Sequence, residues 1–156
     1  MVGFRYALVL IVMAGCAGPV VPADAAEEVS ISFRGSLHAT GQTRLFPNDV
    51  MEMVLRKPAS AAPRVRTYQL KPGAFIAVRD HLLNHPLPDT GDREDVQRAS
   101  PCLDHGFDEI GYRGPDREVS YVGGCPDTAV ADLASEMCAI IASHDPSSDS
   151  VGSPKE

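Results

Sequence analysis

Strict alternation of apolar and polar residues predicts a strand at Val29-Ser30-Ile31-Ser32-Phe33. Residues 50–56 and 65–70 also mix apolar and polar positions over short segments, and they predict two further strands. Because the three segments are short and close together in sequence, we expect them to form part of an antiparallel sheet.

Glycine and turn residues interrupt the pattern between the first two predicted strands. Gly35 and Gly41 predict an irregular or turned stretch there. Pro47-Asn48-Asp49 is a strong turn signal directly before the second strand. We therefore expect the strand at 50–56 to pair back across this turn.

Apolar residues at helical spacing predict two helices. The first stripe consists of Phe75, Ile76, Val78, Leu82 and Leu83, and Pro86 ends it. The second stripe consists of Val130, Leu133, Met137, Ile140 and Ile141, and Asp127 or Thr128 is placed to cap it. Between the two helices, residues 107–112 and 118–122 flank Arg113-Gly114-Pro115-Asp116 and predict a β-hairpin.

The resulting order, β-β-β-α-β-β-α, predicts an α+β fold. We expect an antiparallel sheet of about five strands with both helices on one face. Residues 29–144 would form this single domain. A signal peptide at 1–15 and a tether at 16–28 would precede it, and a disordered tail at 145–156 would follow it.

Composition and charge narrow the class of partner. Apolar residues make up 44% of the 156 residues, aromatic residues only 6%, and Trp is absent, so we expect a modest aliphatic core. The formal net charge is -7. A negatively charged surface repels the phosphates of nucleic acids and anionic lipid headgroups. The net charge therefore argues against nucleic-acid binding.

The first residues have the pattern of an export signal. Arg5 adds a positive charge near the N-terminus, and residues 7–14 form an unbroken apolar run. This run is well short of the ~20 residues needed to span a bilayer. Gly18 and Pro19 then prevent a helix from continuing, so the run predicts a cleavable signal peptide.

Met13-Ala14-Gly15-Cys16 at the end of the run resembles the lipobox of bacterial lipoproteins. The resemblance implies that Cys16 receives a diacylglyceryl group and becomes the first residue of the mature chain. Met13 stands where the family usually has Leu. A lipoprotein would be held in the bacterial cell envelope by its acyl chains, facing the periplasm, so its contact with the membrane would come through a lipid anchor.

A second cleavage site leaves an alternative open. Ala23-Asp24-Ala25 is an A-x-A pattern, and Ala26 follows it. Cleavage there would remove Cys16 and release a soluble periplasmic or secreted protein.

An exported protein meets an oxidising compartment, which makes a disulfide plausible. Cys102 and Cys125 lie at nearly equal distances from the hairpin turn near residue 115, so we expect them to pair. Pairing of Cys102 with Cys138 remains the alternative. If Cys102 pairs with Cys125, Cys138 follows Met137 on the second helix and is expected to be a small core residue.

Two groups of polar residues are candidate ligands for a metal. His81 and His85 lie four residues apart on the first helix, a spacing that places both imidazoles on one face. Leu82 stands where an H-E-x-x-H motif requires Glu, so a surface pair without function is the favoured interpretation. Asp104-His105 with Asp108-Glu109 form an acidic cluster, which either binds a cation weakly or lies solvated at the mouth of the hairpin.

No G-x-S-x-G, P-loop or GxGxxG motif occurs in the chain. The pattern favours a non-enzymatic binding or inhibitor-like module on the cell envelope, without a cofactor and with a protein partner of unknown identity. The alternative is a metal-binding protein or metal-dependent enzyme that uses His81, His85 and His105. The element order across residues 29–142 resembles that of emfourin-type inhibitors of metalloproteases, which implies an inhibitory or partner-binding role.

Overall fold

The computed structural model describes residues 19–20, 26–34, 40–56, 62–88, 107–124 and 129–147. The strands are β1 (Glu28–Arg34), β2 (Thr40–Leu45), β3 (Val50–Arg56), β4 (Arg64–Gln69), β5 (Phe107–Arg113) and β6 (Glu118–Gly123). The helices are α1 (Ala74–Asn84) and α2 (Ala129–Ser143).

The strands form one antiparallel sheet in the order β4-β3-β2-β1-β5-β6. The α+β fold and the order of its elements are confirmed, but the sheet has one strand more than expected. The additional strand is β2, which lies where Gly41 and its neighbours predict an irregular stretch. β2 pairs along its length with both β1 and β3, and these two ladders stabilise a segment that has only one typical core residue, Leu45.

Both helices pack on the same face of the sheet. α1 lies against β1 and β5, whereas α2 lies against β5 and β6. The Lys71 main-chain N–H donates to the His144 carbonyl, so the end of α2 lies beside the start of α1 and the helices are antiparallel. The core between helices and sheet consists of Val29, Leu45, Leu70, Ala74, Phe75, Val78, Leu82, Ile110, Tyr112, Tyr121, Val130, Leu133, Ala134 and Met137.

The turn between β2 and β3 also fixes the start of α1. Asp49 has a φ of 58°, in the left-handed region. Its carboxylate accepts hydrogen bonds from the main-chain N–H groups of Gly73 (2.9 Å) and Phe75 (2.8 Å). Since Gly73 has no side chain with which to cap α1, Asp49 supplies the cap from a distant part of the chain.

Local structure is present at both ends of the predicted domain, residues 29–144. β1 begins at Glu28, one residue inside the predicted tether. At the other end, Asp145 accepts hydrogen bonds from the Ser147 N–H and hydroxyl groups, so local structure extends into the first residues of the predicted tail. Neither α1 nor α2, nor any other helix in the part of the chain that the structure describes, is long and apolar enough to cross a membrane.

Candidate binding surface

The register of the ladders places the side chains of the helix-bearing face in rows across the sheet. One row, at the end of the sheet near the β2–β3 turn, contains Tyr112, Val29, Leu45, Met51 and Tyr68. The middle row contains Ile110, Ile31, Thr43, Met53 and Arg66. The row at the opposite end contains Asp108, Phe33, Gly41, Leu55 and Arg64.

Side chains become more exposed from the first row to the third, and toward β4, because the helices cover only part of the face. Val29 and Leu45 are each 1% exposed beneath the helices. Phe33, two rows from Val29 on the same strand, is 53% exposed, and Leu55 and Tyr68 are 43% and 37% exposed. The uncovered part of the face therefore presents apolar side chains to solvent.

We call this region the open sheet surface. It consists of Phe33, Met53, Leu55, Arg64, Arg66 and Tyr68. Gly41 lies between Phe33 and Leu55 in the same row and has no side chain to cover either neighbour. Single exposed apolar residues are common on protein surfaces, whereas neighbouring ones in register form a contiguous patch of the kind found at interaction sites.

Positive charge borders the open sheet surface on β4. All six residues of β4 are exposed. Arg64 and Arg66 lie on the same face as Leu55 and Met53, which are their partners on β3. Among the residues that the structure describes, no carboxylate forms an ion pair with either guanidinium group.

On the opposite face of the sheet, four charged side chains form ion pairs with one another. Glu28 accepts hydrogen bonds from Arg44 at 2.5 and 2.9 Å and from Arg113 at 2.6 Å. Arg44 also lies 3.3 Å from a Glu52 oxygen. These ion pairs satisfy Arg44 and Arg113, whereas Arg64 and Arg66 have no carboxylate partner in the described part of the chain.

Asp108 and Cys138 mark the border between the open sheet surface and α2. Asp108 pairs in register with Phe33, and burial raises the pKa of its carboxyl group. The pKa of the Cys138 thiol is also raised, first by partial burial and then by the nearby Asp108 carboxylate. The expectation that Cys138 is a core residue is wrong, because its side chain is exposed. It lies about 100° around the helix axis from Met137, which points into the core.

The predicted histidine pair lies on α1, where His81 contacts α2. The His81 and His85 rings are 4.3 Å apart between centroids. His81 Nε2 lies 2.8 Å from the Glu136 carboxylate on α2, and His85 Nδ1 lies 2.8 Å from the His81 carbonyl oxygen. One nitrogen of each ring is therefore occupied within the helix pair. No group of three or more His, Cys, Asp or Glu side chains suited to a metal occurs among the described residues.

The other predicted site residues are only partly placed. Cys16, Cys102 and Cys125 lie outside the described residues, as do Asp104 and His105 of the acidic cluster. The two remaining members of that cluster, at positions 108 and 109, are adjacent on β5 and so point to opposite faces of the sheet.

The open sheet surface is the feature that sequence reasoning missed. Phe33, Leu55 and Tyr68 have the pattern of core positions, and only the placement of the helices shows that they are exposed. The one local signal was the basic composition of β4. No family model matches the chain, and no curated protein matches it.

Proposed function

We propose that the protein is a non-catalytic binding module of the bacterial cell envelope that holds a protein partner against the open sheet surface. The observation that carries this proposal is the exposure of Phe33 and Leu55 on the same face of the sheet that carries the core. Burying such side chains at an interface removes apolar area from water. This stabilises the complex by roughly 25 cal/mol for each Å² of apolar area buried.

A binding role accounts for three features together. The exposed apolar residues lie in neighbouring rows of one face, the guanidinium groups beside them are unpaired among the described residues, and four charged residues of the opposite face pair with one another. Exposed patches of this kind, rimmed by polar residues, are typical of interaction sites. A rigid antiparallel sheet presents the patch in a fixed arrangement, which lowers the entropy lost on binding.

Site-specific photo-crosslinking in the host cell envelope tests the proposal. A photoreactive phenylalanine analogue replaces Leu55 in the open sheet surface, or Ser120, which is exposed on the opposite face of β6. We expect a discrete protein adduct at position 55 and none at position 120. Equal labelling at the two positions, or no adduct at position 55, would contradict the proposal.

The likeness of element order to emfourin-type inhibitors makes a metalloprotease the first partner to assay. Loss of protease activity on addition of the purified protein, restored by Leu55→Asp, would identify inhibition as the form that binding takes. Unchanged protease activity would direct the search to other envelope proteins.

We further propose that Cys16 carries the lipid that holds the protein at the membrane. The apolar run and the lipobox-like residues before Cys16 support this. The test is the intact mass of the native protein, compared with that of Cys16→Ser. We expect a mass that corresponds to a chain beginning at Cys16 with its acyl groups. A mass that corresponds to an unlipidated chain beginning at Ala26 would overturn the lipid anchor and leave the binding surface unaffected.

A further inference from the structure

β4 lies at one edge of the sheet, and within the described part of the chain no strand pairs with its outer side. The Leu70 N–H donates to the Asp49 carbonyl at 2.9 Å, which continues the β3–β4 ladder by one residue pair at the end away from the β3–β4 connection. Because alternate residues of an antiparallel strand direct their N–H and C=O groups to the same side, Val65, Thr67 and Gln69 direct theirs away from β3. These residues form a short template to which another strand can add.

The two edges of the sheet are not equivalent. On β6, Tyr121, Val122 and Gly123 are buried, whereas every residue of β4 is exposed. An open edge is a risk for uncontrolled pairing, and proteins commonly protect it with charged side chains. Arg64 and Arg66 have that effect on β4, but an acidic strand would be attracted by the same two charges.

Charge decides between a second copy and a different chain. Two β4 strands placed side by side would bring the Arg64 and Arg66 groups of both copies together, and like charges on adjacent strands destabilise pairing. An acidic segment would instead place carboxylates beside guanidinium groups that have no ion pair among the described residues.

We propose that β4 binds an extended acidic segment of the partner protein as a seventh strand of the sheet. This inference rests on the proposed binding function and specifies the chemistry of the partner. Main-chain hydrogen bonds to Val65, Thr67 and Gln69 supply part of the affinity, as in other cases of strand addition. Carboxylates opposite Arg64 and Arg66 supply selectivity.

The side chains of β4 alternate between the two faces of the sheet, and this alternation determines the sequence pattern that we expect in the partner segment. Arg64, Arg66 and Tyr68 lie on the helix-bearing face, and Val65, which is 54% exposed, lies on the other. An added strand directs alternate side chains to the two faces. The partner segment therefore has Asp or Glu at alternate positions, separated by uncharged residues.

A synthetic peptide of alternating Glu and Thr, capped at both ends and long enough to span β4, tests the inference on the purified mature protein. Controls are a peptide with the same composition but contiguous Glu residues and a peptide with Lys in place of Glu. By calorimetry, we expect only the alternating acidic peptide to bind. By NMR, we expect that peptide to slow amide exchange at Val65, Thr67 and Gln69.

Two variants separate strand addition from simple charge attraction. Thr67→Pro removes an N–H group that points away from β3, a change that an edge strand tolerates, and we expect it to abolish peptide binding. Arg66→Glu should weaken binding about tenfold, since it replaces an attractive charge pair by a repulsive one. Arg117→Glu, in the β5–β6 turn, makes the same change of charge far from β4 and should leave binding unchanged.

Every other outcome overturns the inference, and each one identifies a different reason for the failure. If the alternating peptide still binds the Thr67→Pro variant, the protein recognises acidic side chains without adding a strand. Binding of all acidic peptides alike, or of anionic lipid vesicles in place of the alternating peptide, shows attraction by charge alone. Concentration-dependent dimers blocked by Thr67→Pro identify a second copy as the occupant. If no peptide binds while position 55 still gives its crosslink, the strand inference fails and the proposed function stands.

Discussion

At the scale of single residues, Asp49 connects the β2–β3 turn to the first helix. Its carboxylate accepts from two main-chain N–H groups at the start of α1, and its own backbone lies in the left-handed region. Asp tolerates that conformation better than most residues. The side chain thus joins two elements that no local sequence pattern connects.

We expect Asp49→Ala to lower the free energy of unfolding by about 2 kcal/mol, from the lost cap and the strained backbone together. Chemical denaturation measures the change. Asp49→Asn keeps one acceptor oxygen and the tolerance of the left-handed region, so it should cost clearly less. Equal stability of the Ala variant and the natural protein would show that the cap is dispensable.

The sequence predicts the turn at Asp49 but not its role as a cap. The Gly73 N–H that the carboxylate binds lies 24 residues further along the chain. A capping interaction is normally sought in the residues just before a helix, and here that position is Gly73, which has no side chain. Long-range capping depends on the folded arrangement and therefore escapes local patterns.

Asp108 introduces a pH-dependent contribution to stability. Because burial raises its pKa, the folded protein binds more protons than the unfolded chain between the two pKa values, and stability falls as the pH rises through that interval. We therefore expect Asp108→Asn to be more stable than the natural protein near pH 7 and to lose this advantage below about pH 3.5.

Thermal unfolding across the acid range measures this effect, with Asp116→Asn in the exposed β5–β6 turn as the matched control. The same Asp108 variant removes the carboxylate that raises the pKa of Cys138, so the thiolate absorbance of Cys138 should develop at lower pH. A Cys138 titration that is unchanged in Asp108→Asn would contradict the proximity of the two groups.

The histidine pair gives a direct test of the metal-binding alternative. Since His81 Nε2 lies beside Glu136 and His85 Nδ1 beside a carbonyl oxygen of its own helix, we expect no tightly bound metal. Untagged protein and the His81→Ala/His85→Ala double variant should have the same metal content by mass spectrometry. A stoichiometric metal that is lost in the double variant would establish the alternative.

At the scale of elements, strong periodicity made most of the fold predictable. Alternation at 29–33 and the apolar stripes of both helices match β1, α1 and α2, because in each case one side faces the core. β2 was missed since its helix-facing positions are Gly41, Thr43 and Leu45, of which only Leu45 is a typical core residue. Its pairing partners determine its conformation, and pairing is not visible in a single segment.

Gly114, which follows β5, and Gly41, in β2, should respond differently to the same substitution. A Cβ at Gly114, after β5, would overlap the ring of the buried Tyr112, so we expect Gly114→Ala to destabilise the protein by roughly 1–3 kcal/mol. A Cβ at Gly41 would lie 3.6 Å from Leu55 Cδ2, an ordinary contact. Gly41→Ala should therefore be neutral or stabilising by up to about 1 kcal/mol. Similar melting temperatures for the two variants would contradict this difference.

At the scale of the whole molecule, the half-covered sheet is the property that sequence could not supply. Phe33 and Leu55 have the same apolar character as the buried Val29 and Leu45. Their exposure depends on where the two helices lie on the sheet, which is set by packing between residues far apart in sequence. Candidate sites built from motifs, such as His81 with His85, therefore missed a surface that is defined by shape and charge.

The charges on β4 give a prediction about the state of association. If Arg64 and Arg66 prevent pairing of β4 with a second copy, their removal should make the protein associate. We expect Arg64→Thr/Arg66→Thr to form dimers or larger species in sedimentation experiments at concentrations where the natural protein does not. Screening by salt should shift the natural protein in the same direction, because the repulsion is electrostatic. Arg117→Thr, in the exposed β5–β6 turn, is the control for the loss of a surface charge, and it should leave association unchanged. A monomeric Arg64→Thr/Arg66→Thr variant would mean that the two guanidinium groups do not guard the edge, and it would leave attraction of an acidic partner as their role.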